Sequence, residues 1–193
     1  MEYEKIRDAL EDFVLNELYE KRRAHTLGVR DTALKLCEKY GADPLKAEIA
    51  ALGHDMFRGL RGEALNEEIK RLDLPDKYLN DPNLAHSKIA AIRLKEDYGV
   101  TDEDILNAVS YHTTGRKDMS LLEKVIYLAD GIEPNRTYPG VDRIRQEAET
   151  SLDGACLMAM QGTIEYVTSQ GTHLDEDTKE AADHLLQESK ENK

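Results

Sequence analysis

Apolar residues return every three or four positions along nearly the whole chain, and nowhere do they alternate with polar ones for more than a few residues. That period belongs to helices burying one face, not to strands, which turn successive side chains to opposite sides. Ile6, Leu10, Phe13, Val14 and Leu18 mark a first helix, and Leu27, Leu34 and Cys37 a second over residues 22–40, which Gly41 should stop. Asp43-Pro44 sets a capping carboxylate before a proline at the first helical position and opens a third helix to about Met56. A basic loop punctuated by glycine follows at residues 58–62, then a short helix over 64–72 ending before Pro75. Asp81-Pro82 leads into a helix through Ile89, Ile92 and Leu94, and Thr101 with Asp104 predicts a capped start for 105–111. Ser120 and Glu123 form a capping box ahead of an apolar helix. Beyond a turn at 134–140 come a further helical stretch, a long helix from Ser151 through Val167, a break at Gly171 and a last helix over 175–188. The polar end, 189–193, should fray. The expectation is an all-α fold, one bundle of about nine helices.

Charge narrows the partners. With 26 Lys+Arg against 39 Asp+Glu, the formal charge of the 193 residues is −13. Such a field opposes a nucleic-acid coat and anionic membrane surfaces, so a polyanionic ligand must be captured by a local positive site. No apolar run approaches the ~20 residues that span a bilayer. Residues 1–13 are too acidic and mixed for a secretory leader, so a cytoplasmic location is expected. Cys37 and Cys156 are far apart, in apolar helical patterns, and read as small buried hydrophobes. No sustained heptad appears, and a homodimer stays open.

Six histidines occur, and their neighbours matter more than their number. His54-Asp55 closes an apolar helix just before the glycine-rich loop. Adjacent helical residues point ~100° apart, yet at a helix end both can flank one ion, and imidazole with carboxylate suits iron, manganese, zinc or cobalt. His25 follows Arg22-Arg23, His86 follows the Pro82 turn, and His112 precedes Thr113-Thr114-Gly115. Asp130 ends the run Val125-Ile126-Tyr127-Leu128-Ala129, where a buried carboxylate needs a partner or a metal unless it turns to solvent. His173 and His184 lack such context. Glu133 either orients a neighbouring side chain or only precedes the Pro134 turn.

These pieces together resemble a known family. Arg22-x-x-His25-Thr26-Leu27-Gly28, Leu52-Gly53-His54-Asp55, His86, Tyr111-His112-Thr113-Thr114-Gly115-Arg116 and Leu128-Ala129-Asp130-Gly131-Ile132-Glu133-Pro134-Asn135-Arg136 are similar, in that order, to the HD-domain phosphohydrolases of the YqeK type, the symmetrical diadenosine tetraphosphate hydrolases. The resemblance spans about residues 22–186. It implies a single HD domain over 1–193, with a catalytic framework at about 22–136 and C-terminal helices at about 140–188.

It also implies a metal centre of one or two ions, usually iron. His25, His54, Asp55 and Asp130 would hold the first ion, and Asp55, His86 and His112 the second. Asp55, His86 and His112 are the implied catalytic residues, and they line the substrate site together with Arg22, His25, Arg58 and Arg136, whose guanidiniums would take phosphates. Arg58 stands where many relatives carry lysine, Ala85 where an aromatic residue is common before the histidine, and residues 170–174 match a substrate loop poorly. Four neutral imidazoles and two carboxylates carry about −2, so two divalent ions leave the centre near about +2, enough to attract a small polyphosphate into an acidic protein. The expected reaction is cleavage of diadenosine tetraphosphate into two ADP by a metal-activated water. The alternatives are another nucleotide (a deoxynucleoside triphosphate, cyclic dinucleotide or alarmone) or a sensor that binds metal and nucleotide without turnover.

Overall fold

The computed structural model of the chain describes residues 2–191. Ten α-helices follow one another: α1 (Glu2–Glu17), α2 (Glu20–Tyr40), α3 (Pro44–Gly53), α4 (Gly62–Arg71), α5 (Pro82–Tyr98), α6 (Glu103–Ser110), α7 (Leu121–Ile132), α8 (Val141–Glu147), α9 (Leu152–Ser169) and α10 (Glu176–Glu191). A 3-10 turn at Asp76–Tyr78 precedes α5, and no strand occurs among the described residues. The count is one above the expected nine. α10 continues to Glu191, so Ser189 is helical rather than frayed; Asn192 and Lys193 lie outside the described residues.

Most signals for helix starts act as read. The Asp43 carboxylate accepts from the amides of Leu45 and Lys46 with Pro44 in the first turn, and Asp81 does the same for Asn83 and Leu84 before α5. Ser120 and Glu123 close a full capping box on α7. Gly41 ends α2 at φ 80°, in the left-handed region. Two boundaries differ. The cap of α6 is Asp102, whose Oδ1 accepts from Asp104 and Ile105, rather than Thr101; Asp104 instead accepts a bond from the Ser120 hydroxyl at 2.6 Å. α3 stops at Gly53 rather than near Met56. Gly53 is where α5 crosses: a Cβ there would lie 2.9 Å from the methyls of Leu94. Beyond it the chain leaves the α-helical register in successive turns, Met56 N–H to Gly53 O and Arg58 N–H to Asp55 O.

Two apolar clusters result. The larger joins α1, α2, α3, the inner face of α5 and α6–α10, with Leu10, Ile49, Leu52, Leu94, Ile105, Ile126, Leu128 and Met160 fully buried. α3 lies at its centre, packed on α1, α2 and α6, and its Ala47, Ala50 and Ala51 keep those helices close. The smaller cluster, Leu65, Ile69, Tyr78, Ala85 and Ile89, seats α4 and the 3-10 turn on the first half of α5. Ala85, where an aromatic residue is common in relatives, is fully buried in this core. Cys37 and Cys156 are free and buried, and burial pushes the Cys37 thiol up to about 11.

Candidate metal centre

The C-terminal ends of α3, α6 and α7 and the N-terminal portions of α2 and α5 converge on one point. His25 comes from α2, His54 and Asp55 from the turn after α3, His86 from α5, His112 from the turn after α6, and Asp130 from the last turns of α7. All six of the expected metal ligands are brought together. Their donor atoms form three overlapping groups, each within 4.8 Å: His25, His54 and Asp55; His54, His112 and Asp130; Asp55, His86 and His112. The break after α3 is what lets neighbours His54 and Asp55 serve the same point.

Each imidazole is anchored from behind. His54 Nδ1 lies 2.6 Å from Ala51 O, His112 Nδ1 2.7 Å from Val109 O, and His86 Nδ1 3.1 Å from Pro82 O. His25 Nδ1 lies 3.1 Å from a Glu133 carboxylate oxygen. An acceptor facing Nδ1 assigns the proton of the neutral ring there and leaves Nε2 to carry the lone pair, in His25 once its second proton is lost. All four Nε2 atoms therefore turn inward. His86 Nε2 and His112 Nε2 stand 3.1 Å apart, and His25 Nε2 and His54 Nε2 are buried without a hydrogen-bond partner. Lone pairs converging in a dry site are costly unless a cation or proton sits between them. The donor chemistry fits a divalent metal bound by imidazole and carboxylate.

Electrostatics divide the ring. Burial works against the charged form of His25, but the carboxylates of Asp130 at 3.2 Å and Asp55 at 3.4 Å outweigh it and lift its pKa to about 9. Those carboxylates are close to Nε2 without lying along a ring N–H, which agrees with the lack of a formal hydrogen bond. Burial, together with the neighbouring His54 and His86, pushes His112 down to about 3 and keeps it neutral. Burial alone would raise Asp55 and Asp130, yet the surrounding imidazoles, with Arg136 beside Asp130, hold both well below the usual carboxylate range.

Of the three expected phosphate-binding arginines, Arg22 lays Nη1 on Asp55 Oδ2, and Arg136 lays Nη2 on Asp130 Oδ1 with Nε 2.8 Å from Asp130 O. Arg58 does not reach the six donors. Burial lowers its pKa, and it bonds Pro82 O at 3.1 Å and Asn83 Oδ1 at 2.7 Å, at the start of α5. Glu133 has an orienting role: it is buried, and besides facing His25 it accepts from the Asn135 amide at 2.7 Å and side chain at 3.0 Å. Thr113 reaches the centre, its hydroxyl 3.2 Å from His112 Nε2 and 3.4 Å from His86 Nε2. The loop behind it is fixed by Gly115 at φ 67° and by Arg116, which grips buried Glu123 at 2.6 and 3.1 Å. In the sequence, Asn135 figures only as part of the Glu-Pro-Asn-Arg run, without a role of its own. His173 is exposed, and His184 pairs with Asp118 at 2.8 Å on the surface.

Comparison with known proteins agrees with this arrangement. Residues 22–135 match the HD domain family. The chain is 44% identical over 166 residues to a protein of Bacillus subtilis named bis(5'-nucleosyl)-tetraphosphatase, symmetrical, covering 86% of this chain and 89% of that one. A protein of the same name from Halalkalibacterium halodurans is 41% identical over 90% of this chain and 93% of its own length. A crystal structure of a predicted HD superfamily hydrolase from Clostridium acetobutylicum superposes with a TM-score of 0.87 at 43% identity, covering 94% and 97% of the two chains. The chain belongs to the HD domain family and groups within it with the symmetrical bis(5'-nucleosyl)-tetraphosphatases.

Proposed function

We propose that this protein is a metal-dependent phosphoanhydride hydrolase that splits diadenosine tetraphosphate at its central bridge, one water entering and two ADP leaving. The observation that carries the reading is the set of four imidazoles turned inward on Nε2 beside Asp55 and Asp130. Its relatives named symmetrical bis(5'-nucleosyl)-tetraphosphatase support the choice of substrate.

His25, His54, Asp55 and Asp130 would hold one metal ion, and Asp55, His86 and His112 a second, with iron as the first candidate and manganese, cobalt or zinc as substitutes. A metal bound there acidifies water from a pKa of 15.7 to about 7 in favourable sites and neutralises phosphate oxygens. The chain supplies the rest. Arg22 and Arg136 already touch the two carboxylates, so each can exchange that contact for a phosphate oxygen and stabilise charge spreading over the transferred phosphoryl group. Arg58 is anchored one step outside, where it suits the more distant phosphates. Thr113 can orient an oxygen beside His86 and His112.

Purified protein given diadenosine tetraphosphate should yield ADP as the sole product. AMP with ATP would mean asymmetric cleavage, and binding without product would mean a sensor. Asp55→Ala should lose metal-dependent hydrolysis, whereas Arg136→Ala should slow turnover with metal content near normal.

A further inference from the structure

Arg145, on α8, bonds none of the metal ligands, yet it is the most heavily bonded arginine of its region. Its Nε donates to Ile132 O at 3.0 Å, and its Nη2 donates to Glu133 O at 2.8 Å and Arg136 O at 2.9 Å. The first two carbonyls belong to the C-terminal end of α7, where helix geometry leaves oxygens without an internal partner. The third is that of Arg136 itself. The remaining nitrogen, Nη1, pairs with the exposed Asp142 at 2.8 Å, which aims the fork. One planar guanidinium thus ties together both ends of the turn from Ile132 to Arg136. A lysine, whose three donors radiate from a single nitrogen on a flexible stem, cannot reproduce this planar fork across three carbonyls.

That turn decides where Arg136 points. Arg136 N–H bonds Glu133 O at 2.9 Å, and its side chain folds back to Asp130, six residues earlier. Released from Arg145, the turn keeps that main-chain bond, the Glu133 N–H bond to Ala129 O, the Glu133–Asn135 contacts and the Arg136 side chain's own bonds to Asp130, none of which ties it to α8. The Glu133 carboxylate, fixed by Asn135, can still face His25. Arg136 is the side chain whose path depends on its own carbonyl being held.

We propose that Arg145 is a positioning residue for Arg136, fixing the turn that aims the Arg136 guanidinium at the phosphate site. The catalytic consequence rests on the reading above, that Arg136 holds a substrate phosphate. The test has two arms. In nitrogen-15 spectra, the Arg136 Nε–H, assigned by its loss in Arg136→Lys, should exchange slowly with solvent in the parent protein. It should lose that protection in both Arg145→Met and the charge-preserving Arg145→Lys, and keep it in Arg143→Met, which changes an exposed arginine on the same helix. In kinetics with diadenosine tetraphosphate, Arg145→Met should lower kcat/KM about tenfold at unchanged metal content, and by less than about twofold when added to Arg136→Ala, because coupled residues lose their contribution together. Retained protection in both Arg145 variants, losses that multiply in the double variant, or loss of metal would each overturn the proposal. If the parent protein leaves the tetraphosphate intact, the functional reading fails, and the exchange arm alone decides the role of Arg145.

Discussion

His25 differs from the other three imidazoles in being held by a side chain. Its Nδ1 faces Glu133, where His54, His86 and His112 face main-chain carbonyls. A carboxylate behind a ligating imidazole fixes the ring and strengthens it as a donor, and its loss typically costs about 10–100-fold in metal affinity. Glu133→Gln should therefore weaken metal binding by about tenfold or more with the helix content intact, read by titration against a competing chelator. His25 also sets a pH dependence. With its pKa raised to about 9, it carries a proton at neutral pH that a metal must displace. Uptake near neutral pH should release about one proton per chain from this residue, and affinity should fall as pH drops below about 9. Calorimetry in two buffers of different ionisation enthalpy counts that proton. The histidines and aspartates were legible because their residue types stand out in sequence. The anchoring carbonyls were not, since every residue carries one and only the fold selects Ala51, Pro82 and Val109.

Among the elements, α4 is held by charge as well as by apolar packing. Glu68 accepts from Arg71 at 2.9 Å and from Arg93 of α5 at 2.8 Å, clasping α4 to α5 over the smaller apolar cluster. The hydrogen bond from Arg71, with that from Arg93, overcomes partial burial and lowers the Glu68 pKa from 4.5 to about 2. A depressed carboxylate stabilises the fold above its unfolded pKa and loses that contribution as pH falls through the folded one. Glu68→Gln should thus cost about 1 kcal/mol at neutral pH, and the difference should close between pH 4.5 and about 2, as followed by urea unfolding at several pH values. Helix starts were readable at Asp43, Asp81 and Ser120, where a side chain makes the cap, whereas at α6 the cap falls on Asp102, one residue past the expected Thr101. The end of α3 was not readable: the register breaks after Gly53, which packs under a leucine of α5 about forty residues away, a contact that local pattern cannot announce. The turn from Ile132 to Arg136 was legible as a motif, while its fastening by Arg145 depends on how α8 returns against α7.

At the scale of the whole molecule, the acidic balance of −13 and the local centre are compatible, because Arg22 and Arg136 pair with the two carboxylates and Arg58 is anchored one step outside them. Among the described residues no helix is long and apolar enough to cross a membrane. Removing metal with a chelator should lower the melting temperature by roughly 5–10 °C, since saturation at about a hundred times Kd contributes about 2.7 kcal/mol and each kcal/mol moves a chain of this size by about 2–4 °C. Differential scanning with and without chelator reads this directly. Because α2, α3, α5, α6 and α7 each contribute to the six donors, a bound ion would experience the bundle as a single ligand. The three rings held by main-chain carbonyls keep their aim whichever side chains surround them, so substitution has little purchase on those rings short of unfolding a helix. The fourth can be adjusted through one residue. Over generations of mutation, metal preference in this protein should therefore drift chiefly through Glu133 and its neighbours, while the main-chain acceptors behind the other three rings persist as long as the fold does.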